Sequence, residues 1–242
     1  YEHSREIVNH VFEEASIRPK LNTSKSVMKS ILSNSREYIL PAIPKKISRE
    51  KVFGKEYQRI DQPQHMAKLI NYALTDILNQ YSNTLVFGED VAKKGGVYNV
   101  TANLFEQFGI RRVFDSPLDE TSIIGTAIGL SHNGFIPIPE IQFLAYYHNA
   151  EDQLRGEAAT LSFFSKGQFV NPMVLRIPGL AYQKGFGGHF HNDNSLAVFR
   201  DLPGIIIACP SNGVDAVKML RRAVFEAYIN SRITVFIEPI AE

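Results

Sequence analysis

Tryptophan is missing from the 242 residues, methionine occurs four times and cysteine once. The lone Cys209 has no partner for an internal disulfide. It ends the apolar run Ile205-Ile206-Ile207-Ala208-Cys209, where a buried structural thiol is expected rather than a nucleophile. Excess charge is lacking too: 26 Lys and Arg stand against 25 Asp and Glu, a net charge of +1, so nothing predicts nucleic-acid or membrane binding by charge. No apolar run approaches the length of a membrane span, and no signal-peptide pattern is present. A P-loop, G-x-G-x-x-G, G-x-S-x-G and metal-spaced Cys/His clusters are all absent. The Gly185-Phe186-Gly187-Gly188 run is too loose for a dinucleotide fingerprint, which argues against a nucleotide-dependent oxidoreductase.

Hydrophobic residues make up 44% and charged residues 21%, ordinary values for a globular chain with a full core. The length suits one large α/β domain, or a medium domain with an extension. Residues 1–62 read as a helical extension or linker. Ile7, Val8, Val11 and Phe12 have helical spacing, as do Val27, Met28, Ile31 and Leu32 after the capping run Thr23-Ser24. Pro19, Pro41, Pro44 and the charged run Lys45–Lys51 interrupt them. The chain opens on Tyr1 and closes just after an apparent strand, which reads as a piece of something longer.

Residues 63–242 read as one α/β domain. Helices are predicted over Met66–Tyr81, Asn99–Phe108, Glu120–His132, Tyr147–Phe164, Leu196–Arg200 and Gly213–Tyr228. Strands are predicted over Thr84–Phe87, Arg112–Phe114, Met173–Ile177, Gly204–Cys209 and Thr234–Ile237, with two short extended pieces, Ile136–Ile138 and Glu140–Phe143. Strands alternate with helices, and the central strands are continuous apolar runs. That pattern predicts a mostly parallel sheet of about six strands with helices on both faces.

The stretch Val113–Gly129 is the expected centre of the site. Pro117 ends a short strand, Asp119 is placed to cap the following helix, and Glu120 falls in its first turn. Ligands of open α/β sheets bind beyond the carboxyl ends of strands, where Glu120 stands. On local sequence alone, an acid suiting the helix dipole is the default reading.

Four colinear stretches alter that weighting. They are Gly88-Glu89-Asp90-Val91 with Gly95-Gly96-Val97-Tyr98; Asp115–Gly129; Pro139–Phe143 with Tyr146 and Asp152-Gln153; and Gly187-Gly188-His189-Phe190-His191 leading to Leu202-Pro203-Gly204. Together, over roughly residues 64–242, they resemble the pyrimidine-binding, transketolase-like domain in the beta subunit of thiamine-diphosphate-dependent 2-oxo acid dehydrogenases.

The resemblance implies that Glu120 hydrogen-bonds a ring nitrogen of the cofactor aminopyrimidine and favours its imino tautomer. It implies that Tyr146 stacks on that ring, that Leu118 and Gln142 line it (Leu118 through its backbone carbonyl), and that Glu89 is a second acid beside it. His191 would reach the substrate carboxylate. Here the chain departs from the family: the common H-S-Q is His191-Asn192-Asp193, and His189 is a second candidate. His132 and His148 read as structural. The motif that holds magnesium and the diphosphate is absent and belongs to an alpha partner, so no metal ligands are expected here.

The implied reaction is oxidative decarboxylation of a 2-oxo acid, the acyl group passing to a lipoyl-bearing acyltransferase. The implied assembly is an oligomer with an alpha subunit or, residues 1–62 being its tail, an alpha half of a fused chain. The implied location is cytoplasmic in a bacterium or the mitochondrial matrix in a eukaryote. Glu140–Phe143 with Tyr146 is slightly closer to the branched-chain enzymes than to pyruvate dehydrogenase. The alternatives are another thiamine-diphosphate enzyme, such as acetoin dehydrogenase or a transketolase-like one, and a non-catalytic interaction module.

Overall fold

Apolar runs at regular intervals become six parallel strands in one sheet: β1 (Thr84–Gly88), β2 (Val113–Asp115), β3 (Ile136–Glu140), β4 (Met173–Pro178), β5 (Ile205–Ala208) and β6 (Ile233–Glu238), in the order β2-β1-β3-β4-β6-β5. The computed structural model describes residues 1–32, 39–180 and 187–239. Nine α-helices lie among the described residues: α1 (Glu2–Ser16), α2 (Ser24–Ile31), α3 (Lys46–Phe53), α4 (Met66–Gln80), α5 (Leu104–Phe108), α6 (Glu120–His132), α7 (Leu161–Phe164), α8 (Ala197–Arg200) and α9 (Gly213–Asn230).

Successive strand residues point to opposite faces, so each strand feeds two cores. Val86, Ile136, Ile138, Val174 and Phe236 pack under α4 and α9. Leu85, Phe87, Leu175, Ile177, Val235 and Ile237 pack on the other face with α6 and the segment 141–158. This is the α/β architecture expected from the unbroken apolar strands.

The two extended pieces around residue 139 form one strand. Ile136 donates its N–H to Asn83 on the β1 side, and Ile141 donates to Arg176 on the β4 side. Pro137 and Pro139 occupy the intervening positions whose donors would face β4, and proline has none to give. The ladder to β1 therefore runs the length of β3, while the pairing with β4 is confined to Glu140 and Arg176.

Two predicted helices are shorter than the periodicity suggests. Asn99 and Asn103 both adopt positive φ (58° and 64°), which breaks the chain before α5. The span 147–164 is not one helix but a 3-10 stretch (Leu144–Ala150), a π-helical stretch (Gln153–Ala158) and α7.

Among the N-terminal residues, α1 buries no side chain. Thr23 and Ser26 form the capping box of α2. Helix α3 lies on α4: Phe53 is buried edge-on against Tyr72, and Arg49 grips Asp76 with two hydrogen bonds of 2.8 and 2.9 Å.

Candidate active site

Strand order sets the place. From β1 the chain crosses to β2 on one side, then returns to β3 on the other, so the connections diverge between β1 and β3. A crevice opens at the carboxyl ends of strands where such a reversal occurs. Glu89 follows β1 directly and Gln142 follows β3, and the Gln142 side-chain amide donates to the Glu89 carbonyl at 3.4 Å. Gly88 is required at this pinch: a Cβ there would lie 2.6 Å from the Glu140 carbonyl oxygen.

Glu89 is half-buried. Burial, then the neighbouring charges of Asp90 and Glu120, push its pKa above the ordinary carboxylate value, against the pull of Lys94. Glu120 is the first residue of α6, reached from β2 through Ser116, Pro117, Leu118 and Asp119. The strand end is pinned by the Ser116 N–H donating to the Gly88 carbonyl (2.9 Å) and by the Asp115 carboxylate accepting from the Ala92 N–H (2.7 Å). Asp119 stands at the N-cap, but its carboxylate takes the Ser122 hydroxyl rather than a backbone N–H. Glu120 is half-buried and accepts a hydrogen bond from the Asn149 side chain at 3.2 Å. Leu118 is 70% exposed, so its side chain belongs to the rim of the crevice.

The 3-10 stretch Leu144–Ala150, which follows β3, carries Tyr146. The Tyr146 hydroxyl lies 3.0 Å from His191 Nε2, and His191 Nδ1 lies 3.1 Å from the Gly187 carbonyl oxygen. The Phe143 ring meets His191 edge-on (centroids 4.6 Å apart), and Tyr146 meets Phe143 at 5.3 Å. Of the two candidate histidines, His191 therefore joins the aromatic cluster, whereas His189 stacks on the exposed Phe190. Residues 181–186 of the Gly179–Asn194 loop lie outside the described residues.

Three features of the site have no signature in the sequence. A fully buried Arg176 at the end of β4 lies between Glu140 at the end of β3 (2.9 Å) and Glu238 at the end of β6 (2.7 Å). Burial pushes the Glu140 pKa up to about 7, Glu238 adds to the rise and Arg176 opposes it. One cation between two carboxylates is neutral when one proton is held, and burial raises the Glu140 carboxyl in that direction. Asn149 is a second unpredicted contact, made to Glu120. The third is His148, whose Nε2 lies 3.3 Å from Asp193. Each needs a partner distant in sequence, so no local pattern could reveal it.

Cys209 is half-buried rather than buried, and that partial burial raises its pKa. A cavity of about 600 Å³ lies between α2 and α7, lined by Leu21, Leu32, Phe163 and Phe164, away from these groups. Among the described residues no three His, Cys, Asp or Glu side chains are placed to hold a metal ion, and no helix is long and apolar enough to cross a membrane.

Chemically, the crevice offers a carboxyl at a helix N-terminus, a second acid with a raised pKa, a side-chain amide and an edge-packed aromatic cluster. That set suits a planar heterocycle with several nitrogens, which the carboxyls and amide can address at its edge and the rings at its face.

Residues 62–239 match the family described as transketolase, pyrimidine binding domain. A 3-methyl-2-oxobutanoate dehydrogenase subunit beta of Mycobacterium tuberculosis is 39% identical over 166 residues, 68% of this chain and 47% of that protein. A pyruvate dehydrogenase E1 component subunit beta of Acholeplasma laidlawii is 37% identical over 175 residues, 72% of this chain and 51% of that protein. A solved chain described as a split gene transketolase, inactive beta4 tetramer, has a TM-score of 0.55 at 19% identity, covering 73% of this chain and 52% of its own, a likeness of fold. The chain spans about half the length of the curated relatives it matches.

Proposed function

The chain belongs to the transketolase pyrimidine-binding domain family, and from that premise we propose that it supplies the aminopyrimidine-binding half of the active site in a thiamine-diphosphate-dependent 2-oxo acid dehydrogenase. The observation that carries the reading is the convergence of Glu89, Glu120, Gln142, Tyr146 and His191 at the carboxyl ends of β1 to β4. Similarity to beta subunits named for branched-chain and pyruvate substrates supports the reaction class. Bound thiamine diphosphate supplies the carbanion chemistry of decarboxylation.

In this reading each group of the chain has a distinct task. Glu120 presents its carboxyl to a ring nitrogen of the pyrimidine, and the Asn149 amide fixes the orientation of that carboxyl. Glu89, whose pKa is raised by burial and by the neighbouring acids, is the second carboxyl beside the ring and stands close to Glu120. Gln142 and the backbone carbonyl of Leu118 line the ring edge. Tyr146 and Phe143 cover the ring face and exclude water. His191, which lies against the Tyr146 hydroxyl, is assigned to the carboxylate end of the 2-oxo acid.

The magnesium and diphosphate end of the cofactor is assigned to an alpha subunit, or to an alpha half preceding residues 1–62 in a fused chain. The acyl group then passes to a lipoyl-bearing acyltransferase. Branched-chain 2-oxo acids are the preferred substrate class. The assembly is an oligomer, placed in the cytoplasm of a bacterium or in the mitochondrial matrix.

The test is decarboxylation by the full-length protein with its alpha half, magnesium and thiamine diphosphate, using an artificial electron acceptor. Turnover of branched-chain 2-oxo acids above pyruvate is expected. Cofactor bound without turnover of either would move the protein to another thiamine chemistry, and no cofactor binding would end the reading.

A further inference from the structure

We propose that His148 and Asp193 are positioning residues that hold the His191 loop over the site, an inference that rests on the reading of His191 given above.

Two contacts link the Leu144–Ala150 stretch to this loop in the same register. Tyr146 meets His191 at 3.0 Å, and two residues further along each segment His148 Nε2 meets Asp193 Oδ2 at 3.3 Å. Side chains two residues apart on one segment thus bond side chains two residues apart on the other, which fixes both the position and the direction of the loop. A single contact would leave the loop free to pivot about it.

The loop needs such a constraint. Gly187 and Gly188 adopt positive φ (68° and 55°), and residues 187–190 are exposed. The backbone bonds of His191 and Asn192 run to Gly188, within the loop itself. They shape the turn without attaching it to the sheet.

Asp193 is built for the role. Its Oδ1 accepts from the Ser195 N–H at 2.9 Å and from the Ser195 hydroxyl at 2.5 Å. Those bonds leave Oδ2 aimed at His148. Burial opposes ionisation of Asp193, but the Ser195 bonds and His148 hold its pKa below the ordinary value, so the carboxylate is charged. On its other side His148 Nδ1 lies 3.8 Å from Glu151, which orients the ring between two acids. The tripeptide His191-Asn192-Asp193 that departs from the family's H-S-Q thereby acquires a use: the acid at its third position pairs with a histidine on the facing segment.

The experiment uses the full-length assembly and four forms: wild type, H148A, H148Q and the double variant H148A/H191A. Hydrogen exchange at amides 189–195, measured without substrate, should quicken in H148A and stay near wild type in H148Q, whose amide still reaches Asp193. With thiamine diphosphate saturating, H148A should lower kcat/KM for the 2-oxo acid about tenfold with cofactor affinity unchanged. H148Q should recover most of it. If His148 acts through His191, adding H148A to H191A costs less than about twofold. Losses that multiply in the double variant, or exchange that does not respond to H148A, overturn the proposal. Exchange responding as expected in an assembly that turns over no 2-oxo acid overturns the functional reading instead, and leaves the tether standing.

Discussion

At Glu120 two demands fall on one carboxyl. In the first turn of α6 it accepts a hydrogen bond from the Asn149 amide, and in the proposed role it must also share a proton with a ring nitrogen. Glu89 stands close enough for the two acids to interact, and burial together with the charges of Asp90 and Glu120 raises its pKa. An E120Q variant preserves size and half-burial, so it should assemble normally and lose at least about a hundredfold in kcat. Normal assembly with undiminished turnover would reassign the domain to a non-catalytic role. A second residue-scale test is G88A. The atom its Cβ meets at 2.6 Å is backbone, which cannot swing aside, so about 1–3 kcal/mol of stability should be lost. Chemical denaturation measures this, and an unchanged midpoint would mean that β1 and β3 can spread without cost.

The ends of β3, β4 and β6 act as one element, because Glu140, Arg176 and Glu238 bury their charges together. Glu140 keeps its proton in the fold up to about pH 7, against an ordinary value of 4.5. Its contribution to stability is therefore full below about pH 4.5, declines as pH rises through the folded pKa and is level above it, with a slope of up to about 1.4 kcal/mol per pH unit. E140Q mimics the protonated acid. The difference in unfolding free energy between wild type and E140Q should shift in favour of E140Q between pH 5 and pH 7, and parallel curves would refute the assignment of that proton. R176A leaves two acids buried without a cation and should cost about 3–5 kcal/mol. This cluster also marks the limit of what sequence conveys. The strands were legible because Leu85–Phe87, Met173–Leu175 and Val235–Ile237 are continuous apolar runs. Arg176 inside one such strand and Glu140 and Glu238 at the ends of others carry no local sign of one another, and only the sheet order shows the three meeting. The 147–164 segment misled for the opposite reason: its composition is helical, but tertiary packing of Tyr147, Ala150 and Leu154 under the sheet imposes 3-10 and π turns. The site residues were legible through resemblance rather than spacing. Their neighbours Asn149, His148 and Arg176 were not, since each depends on a contact across the fold.

For the whole molecule, the strongest consequence of the proposed function is that the two ends of the cofactor would be held by different partners. The proposal assigns Glu89, Leu118, Glu120, Gln142 and Tyr146 to the pyrimidine end of thiamine diphosphate. A ligand with a doubly charged end draws much of its binding free energy from a cation and fixed N–H donors, and the proposal places those on the alpha side. Thiamine diphosphate with magnesium should therefore raise the Tm of this chain alone by very little, and that of the complete assembly by several degrees, since stabilisation scales as RT ln(1 + [L]/Kd). Thiamine lacking the diphosphate sharpens the comparison. It should be nearly as weak as the full cofactor on the isolated chain, where the diphosphate has nothing to meet, and far weaker on the assembly. A large Tm shift of the isolated chain with thiamine diphosphate but not with thiamine would show that this chain holds the diphosphate itself, and the division of the site between two partners would have to be redrawn.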